Sequence, residues 1–412
     1  MENITGKAVT HTNYLKTRLY LVDELKKLTK NHSVIIEAPR RFGKTSVIKE
    51  LMRQQNEAAE DKRESNVIFF ELEGEDSIES FCFKFFRELL NFYHIRKHSD
   101  MICQFLGDAW NAITSRIGKF GILGCEIELR EETRGLNFGQ WKEKISPLIS
   151  GLNSFERNTI IIFDEFPDML ANFRHAGISQ EEFTTTVDLL TGWLRTLRQS
   201  SDSIKKYQFV FCGSVNLRKT LEKLGISKRI NDLESLSVPP ITRDEAKVLI
   251  DALSEEYKIS IDPEGLQFLI EKTAAGSPYY GQILIKALRD TRQPSFTIST
   301  ARAVYEGMLR SGNHDLNHFH SRLEEYLTPV EREIASNILL HLCRETCQEQ
   351  EMYQTLFHEK CDYEMFQDVI DRLIFEGYLT RDLSKNNQLR FVSPLLKDWW
   401  ACKKTGCFDA CL

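Results

Sequence analysis

One run of residues carries the strongest chemistry in the chain. Ala38-Pro39-Arg40-Arg41-Phe42-Gly43-Lys44-Thr45, followed by Ser46, matches the phosphate-loop pattern G-x-x-x-x-G-K-[ST] except that Ala38 stands at the first glycine. Such a loop must turn sharply from a strand into a helix and aim backbone N–H groups at phosphate oxygens. Gly43 supplies the backbone freedom nearest the phosphates. The N-terminus of the following helix favours an anion. Lys44 would place its charge on the β and γ phosphates, and the Thr45 hydroxyl could ligate Mg²⁺. Alanine is the smallest replacement for the first glycine, so the departure is tolerable.

A second chemical group lies about 120 residues downstream, where Thr159-Ile160-Ile161-Ile162-Phe163 runs into Asp164-Glu165. Asp164 would hold Mg²⁺ through water, and Glu165 is placed to orient or deprotonate an attacking water. Alone, two carboxylates at a strand end are as readily a solvated terminus. An adjacent Asp-Glu pair favours hydrolysis over phosphoryl transfer to an acceptor, which would exclude water. A third group, Gly213-Ser214-Val215-Asn216, ends another apolar run. Ser214 is the first candidate to sense the γ-phosphate and Asn216 the second; the alternative is a helix N-cap by Ser214. No N-K-x-D-like guanine-reading motif stands in the expected place, so ATP is the expected nucleotide.

These groups need elements to position them. Ser33–Ala38, Val67–Leu72, Thr159–Phe163, Gln208–Cys212 and Glu234–Val238 read as buried strands. Helical stretches at 45–55 and 180–198 lie between them, and strands alternating with helices argue for a parallel three-layer α/β sheet. Residues 77–93 have helical spacing with five phenylalanines (Phe81, Phe83, Phe85, Phe86 and Phe92), which reads as a core helix. Ile122 to Leu129 alternates and is expected to be one arm of a hairpin. From Thr242 the pattern becomes helical, at 242–258, 262–275, 279–291 and 297–310. Gly312-Asn313-His314-Asp315 marks a break. Helices at 329–345, 350–358 and 363–376 then precede two strand-like runs around Ser384–Asn387, the sequence pattern of a winged helix. The expected domains are 1–240, 241–312 and 313–412.

With these residues placed, the chain resembles the archaeal-type P-loop ATPases of the AAA+/STAND branch, relatives of the Orc1/Cdc6-like and NB-ARC proteins. The resemblance covers roughly residues 10–400 and rests on Pro39–Ser46, Phe163-Asp164-Glu165-Phe166, Cys212-Gly213-Ser214 and Gly276-Ser277-Pro278. Tyr14–Glu24, with Arg18, resembles the family's segment before the first strand. The resemblance implies an AAA+/ASCE core, an all-α lid and a winged helix. It implies that Pro39 to Ser46 bind nucleotide, that Pro278 packs near the adenine, and that Asp164, Glu165 and Ser214 serve catalysis with Lys44. The family's second-sensor arginine has no obvious equivalent, Lys286 and Arg289 being the candidates. Arg229 sits where a trans-acting arginine finger could lie, or else on a solvated helix end. Many members carry a nuclease after the winged helix; with the chain ending at Leu412, none is expected here. The likeness to signalling STAND proteins implies a switch that addresses an effector protein or further copies of itself, in stress or anti-phage sensing.

Charge limits the partners. The whole chain has a formal net charge of −6, so nucleic-acid binding would need a local basic patch. Residues 328–400 hold eight lysines and arginines against thirteen carboxylates. The stretch 363–376, where a recognition helix would lie, has Glu364, Asp368, Asp371 and Glu376 against Arg372 alone. A protein contact is therefore favoured over DNA, whose phosphates supply most non-specific affinity. The scattered cysteines lack paired C-x2-C spacing, which argues against zinc at Cys343, Cys347 and Cys361 or at Cys402, Cys407 and Cys411. No stretch approaches the ~18 apolar residues of a membrane span, and Met1–Lys7 lacks a signal-peptide core. A cytoplasmic protein without membrane contact is expected.

Overall fold

The computed structural model describes residues 14–59, 62–96, 126–175, 177–199, 206–213, 217–310, 313–382, 385 and 387–405. Along the chain come α1 (Leu19–Leu28), β1 (Val34–Glu37), α2 (Lys44–Glu57), β2 (Ser65–Glu71) and α3 (Ile78–Ile95). Next are α4 (Glu126–Glu132), α5 (Phe138–Gly151), β3 (Asn158–Asp164), α6 (Phe166–His175), α7 (Gln180–Gln199), β4 (Tyr207–Cys212), α8 (Leu217–Lys223) and β5 (Glu234–Ser237). Then follow α9 (Arg243–Glu256), β6 (Ser260–Ile261), α10 (Pro263–Thr273), α11 (Pro278–Asp290), β7 (Ser295–Phe296), α12 (Ile298–Arg310) and α13 (His314–Tyr326). The last are α14 (Pro329–Arg344), α15 (Glu349–Met352), α16 (Tyr363–Phe375), β8 (Leu379–Asp382), β9 (Gln388–Phe391) and α17 (Pro394–Thr405).

The chain divides into two compact units. One holds Leu21–Glu37 and Leu51–Ser237; the other holds the described residues before Leu21, Ala38–Glu50 and Val238 onward. In the first unit, β1 to β5 form one parallel sheet in the order β2-β3-β4-β1-β5. β3 and β4 are buried along almost their whole length, so both sheet faces are covered, as parallel sheets require. The core on one face is aromatic. The α3 phenylalanines predicted to pack do so, Phe81, Phe85 and Phe86 being fully buried. Ser77 caps the helix and accepts from the Ser80 N–H.

The alternating run 122–129 is not a hairpin arm where it is described. Glu126 to Leu129 open α4, and residues 122–125 lie outside the described residues. A short alternating run fits either period. The helix is supported by an i,i+4 pair from Arg130 to Glu126 at 3.0 Å and by burial of Leu129.

The second unit is helical around its own core. α9, α10, α11 and α12 appear where sequence spacing predicts helices, each within a few residues. α13 carries its apolar residues Leu316, Phe319 and Leu323 into the same core; sequence reading leaves this segment unassigned after the Gly312 break. β8 and β9 form an antiparallel hairpin with Leu379 opposite Phe391. Lys272 of α10 pairs with Asp398 of α17, which also accepts from the Tyr305 hydroxyl of α12 at 2.7 Å. That carboxylate ties three helices together.

Candidate functional site

β1 runs without interruption into the segment Ala38–Gly43, and α2 starts at Lys44. Two residues of this loop are left-handed, Arg41 at φ 66° and Gly43 at φ 96°. At Gly43 the space a Cβ would occupy is open, with no atom within 4 Å. The loop therefore presents a clear backbone face where the pattern demands close approach. Lys44 is nearly buried, and its amine donates to the carbonyls of Ala38 at 2.7 Å and Pro39 at 3.0 Å. Thr45 and Ser46 occupy the first turn of α2. A basic amine, two hydroxyls and the first turn of a helix are the donor types that a Mg²⁺-bound phosphate chain needs. Phe42 is buried and lies against Gly377, whose Cβ would stand 3.6 Å from the Phe42 ring and 3.2 Å from Pro39.

The helical residues around this loop are ones that spacing alone did not single out. Ser277 caps α11, accepts from the Tyr279 N–H and donates its own hydroxyl proton to the Arg41 carbonyl. Pro278 is the first residue of α11. The Arg41 guanidinium stacks on the Tyr279 ring, 4.0 Å from its centre. His318 lies near by. Burial first, and then the charges of Arg41, Arg322 and Arg40, push its pKa down to about 4. Lys286 and Arg289, the second-sensor candidates, are both engaged: Lys286 with Asp315 at 2.7 Å, Arg289 with Asp290 at 2.7 Å. Arg18 is buried, donates to the Pro239 carbonyl and lies 3.8 Å from Glu245.

The acidic pair belongs to the sheet unit. Asp164 closes β3, 2% exposed, and its carbonyl accepts from the Leu72 N–H. Glu165 follows in the left-handed region at φ 56°, a conformation unfavourable for a long side chain. Aromatic residues pack on either side of it. Phe163 packs against Phe70, Phe85 and Phe209, and Phe166 against Phe211 at 5.1 Å. The left-handed residue thus lies between two aromatics that both enter one core, where β3 ends and α6 begins. β1 and β3 are parallel and separated only by β4, so their carboxyl ends share an edge of the sheet. Ligands in open α/β sheets bind at that edge.

Gly213 follows β4 under steric necessity, since a Cβ there would lie 2.3 Å from the Pro167 ring. Ser214 and Asn216 lie outside the described residues. Arg229 makes a bidentate pair with Asp188 of α7, at 2.7 and 2.8 Å, and holds that carboxyl below its ordinary pKa. Cys82, Cys212, Cys343, Cys347, Cys361 and Cys402 are not joined in disulfides, and Cys407 and Cys411 lie outside the described residues. Among the described residues no three His, Cys, Asp or Glu are placed to hold a metal, and no helix is long and apolar enough to cross a membrane.

Solved structures share this architecture. A Walker-type ATPase of Pyrococcus abyssi superposes with a TM-score of 0.60 at 13% identity, over 97% of this chain and 99% of that one. The chain has the fold of the P-loop ATPases. The ORC2 protein of Aeropyrum pernix, solved as ADPNP–ADP complexes, has the same fold, with a TM-score of 0.52 at 14% identity over 96% and 98% of the two chains. No protein-family model and no curated protein matches the chain.

Proposed function

We propose that the chain binds and hydrolyses ATP with Mg²⁺ and acts as a conformational switch of the AAA+/STAND type. The observation that carries this is the loop Ala38–Gly43, which follows β1 with an open left-handed Gly43 and leads into Lys44 at the start of α2. Within the sheet unit, β3 ends in a buried aspartate followed by a left-handed glutamate. In this reading Lys44 meets the β and γ phosphates, and Thr45 and Asp164 hold the metal. Glu165 takes a proton from water, Ser214 senses the γ-phosphate, and Pro278 lines the base. The bound metal would offset phosphate charge. The ADPNP–ADP complexes of the Aeropyrum protein support adenine nucleotide as the ligand class. Arg229 would serve a neighbouring copy's nucleotide only on leaving Asp188.

The residues after 313 would form a winged helix that passes the nucleotide state to a protein partner or another copy of this chain. A cytoplasmic role in prokaryotic defence is the biological setting the family resemblance implies. The reading of this module as a protein contact, and not a DNA clamp, is supported by its ion pairs. Arg381 bonds Glu349 and Asp371, and Arg390 lies 3.3 Å from Asp382. Two of the three cations on the hairpin are thereby neutralised within the protein. The decisive experiment is nucleotide binding and phosphate release by purified protein. Lys44→Ala should lose ATP affinity, whereas Glu165→Gln should keep affinity and lose at least about 100-fold in turnover. Background turnover unchanged by Glu165→Gln would leave only a nucleotide-binding scaffold.

A further inference from the structure

We propose that Arg41 is a positioning residue of the phosphate loop, latched in its left-handed conformation by Ser277 and the ring of Tyr279. Its effect on nucleotide affinity rests on the function proposed above; its effect on loop order does not.

An arginine at φ 66° is held against its own preference, since only glycine adopts that region freely. The backbone around it decides where the loop's N–H groups point. The peptide after Arg41 contains the Arg41 carbonyl and the Phe42 N–H. Because that unit is planar and trans, fixing the carbonyl on one side directs the N–H to the other. The Ser277 hydroxyl grips that carbonyl, and Ser277 is only 1% exposed. The guanidinium is held as well, 4.0 Å above the Tyr279 ring.

The ring is not free to swing. The Tyr279 hydroxyl donates to the carbonyl and carboxylate of Asp315 at 3.2 Å, and Asp315 in turn holds Lys286 at 2.7 Å. The chain of contacts therefore runs from the loop through α11 to the first turn of α13. Arg41, Arg40 and Arg322 all lie close enough to His318 to disfavour its charged form, and Arg41 and Asp315 both act on Tyr279. The electron-rich ring face attracts the Arg41 guanidinium. Residues 277 and 279 thus hold both the backbone and the side chain of one loop residue.

The test compares Tyr279→Phe, which keeps the ring face, with Tyr279→Leu, which keeps bulk without it, each in the native chain and in Arg41→Gly. Two quantities are measured: amide hydrogen exchange over residues 38–46 without nucleotide, and KM and kcat for Mg²⁺-ATP. Tyr279→Phe, which keeps the ring face and loses only the hydroxyl's tether to Asp315, should shift both quantities clearly less than Tyr279→Leu. Tyr279→Leu should speed exchange in the loop and raise KM about five- to thirty-fold with kcat nearly unchanged. In the Arg41→Gly background the leucine should add less than about two-fold, because glycine holds positive φ without a latch. Leucine and phenylalanine variants that behave alike would overturn the proposal, as would equal leucine effects in both backgrounds or unchanged loop exchange. Exchange that responds as expected in a protein that binds no ATP would leave the latch standing and remove the nucleotide function.

Discussion

Glu165 is the residue where local preference and role pull apart most openly. Its left-handed backbone sits between two aromatic neighbours that both enter the core. Glycine would relieve that conformation by up to about 1 kcal/mol against the loss of the side chain's contacts, so Glu165→Gly should change thermal unfolding little, yet abolish turnover. A variant that both unfolds early and loses turnover would show that the carboxylate stabilises the fold. His318 gives a pH prediction. Its folded-state pKa, about 4, lies below the ordinary 6.5, so the unfolded chain binds the extra proton first. Its contribution to stability is complete above pH 6.5 and is lost as pH falls towards 4. His318→Gln should flatten the melting profile across that window; an unchanged slope would assign the acid sensitivity to other groups.

At the scale of elements, the acidic edge depends on how β4 meets α6. Gly213 leaves β4 against Pro167, and a methyl group there would sit 2.3 Å from the ring. Gly213→Ala should cost about 1–3 kcal/mol in urea unfolding, because strand end or helix start must shift. A cost near zero would mean that this junction yields easily and does not fix Asp164. Some elements were plain beforehand. β1, β3 and β4 are short apolar runs with punctuation at their ends, and α3 announced itself by five phenylalanines at helical spacing. α4 was not legible as a helix, since Glu126–Leu129 suits both periods and the pair from Arg130 and the burial of Leu129 decide it. α13 was hidden behind the Gly312 break, although its apolar positions fall on one buried face.

Over the whole molecule, charge decides between partners. The chain is acidic, and the hairpin cations Arg381 and Arg390 face carboxylates of their own unit. Duplex DNA at about 0.1 M salt should therefore be retained weakly, with or without ATP, and with a shallow salt dependence. Removing the competing charges by Glu349→Gln with Asp371→Asn should strengthen non-specific binding. Tight, ATP-dependent binding by the unaltered protein in a mobility-shift assay would instead favour an initiator- or transposition-type ATPase.

The order of residues along the chain was enough to mark a phosphate loop, a parallel sheet and an acidic strand end. Each is a local pattern of residue type, period and punctuation, so no distant contact is needed to recognise it. Long-range packing settled matters of another kind. It put Ala38–Glu50 in the compact unit that holds the helices after Val238, paired Arg229 with Asp188, and engaged Lys286 with Asp315. It also set the Ser277 hydroxyl on the carbonyl of the left-handed Arg41. Those outcomes depend on which side chains meet in space, 29 residues apart for Lys286 and Asp315, 41 for Arg229 and Asp188 and 236 for Ser277 and Arg41, and no spacing within a single segment records that.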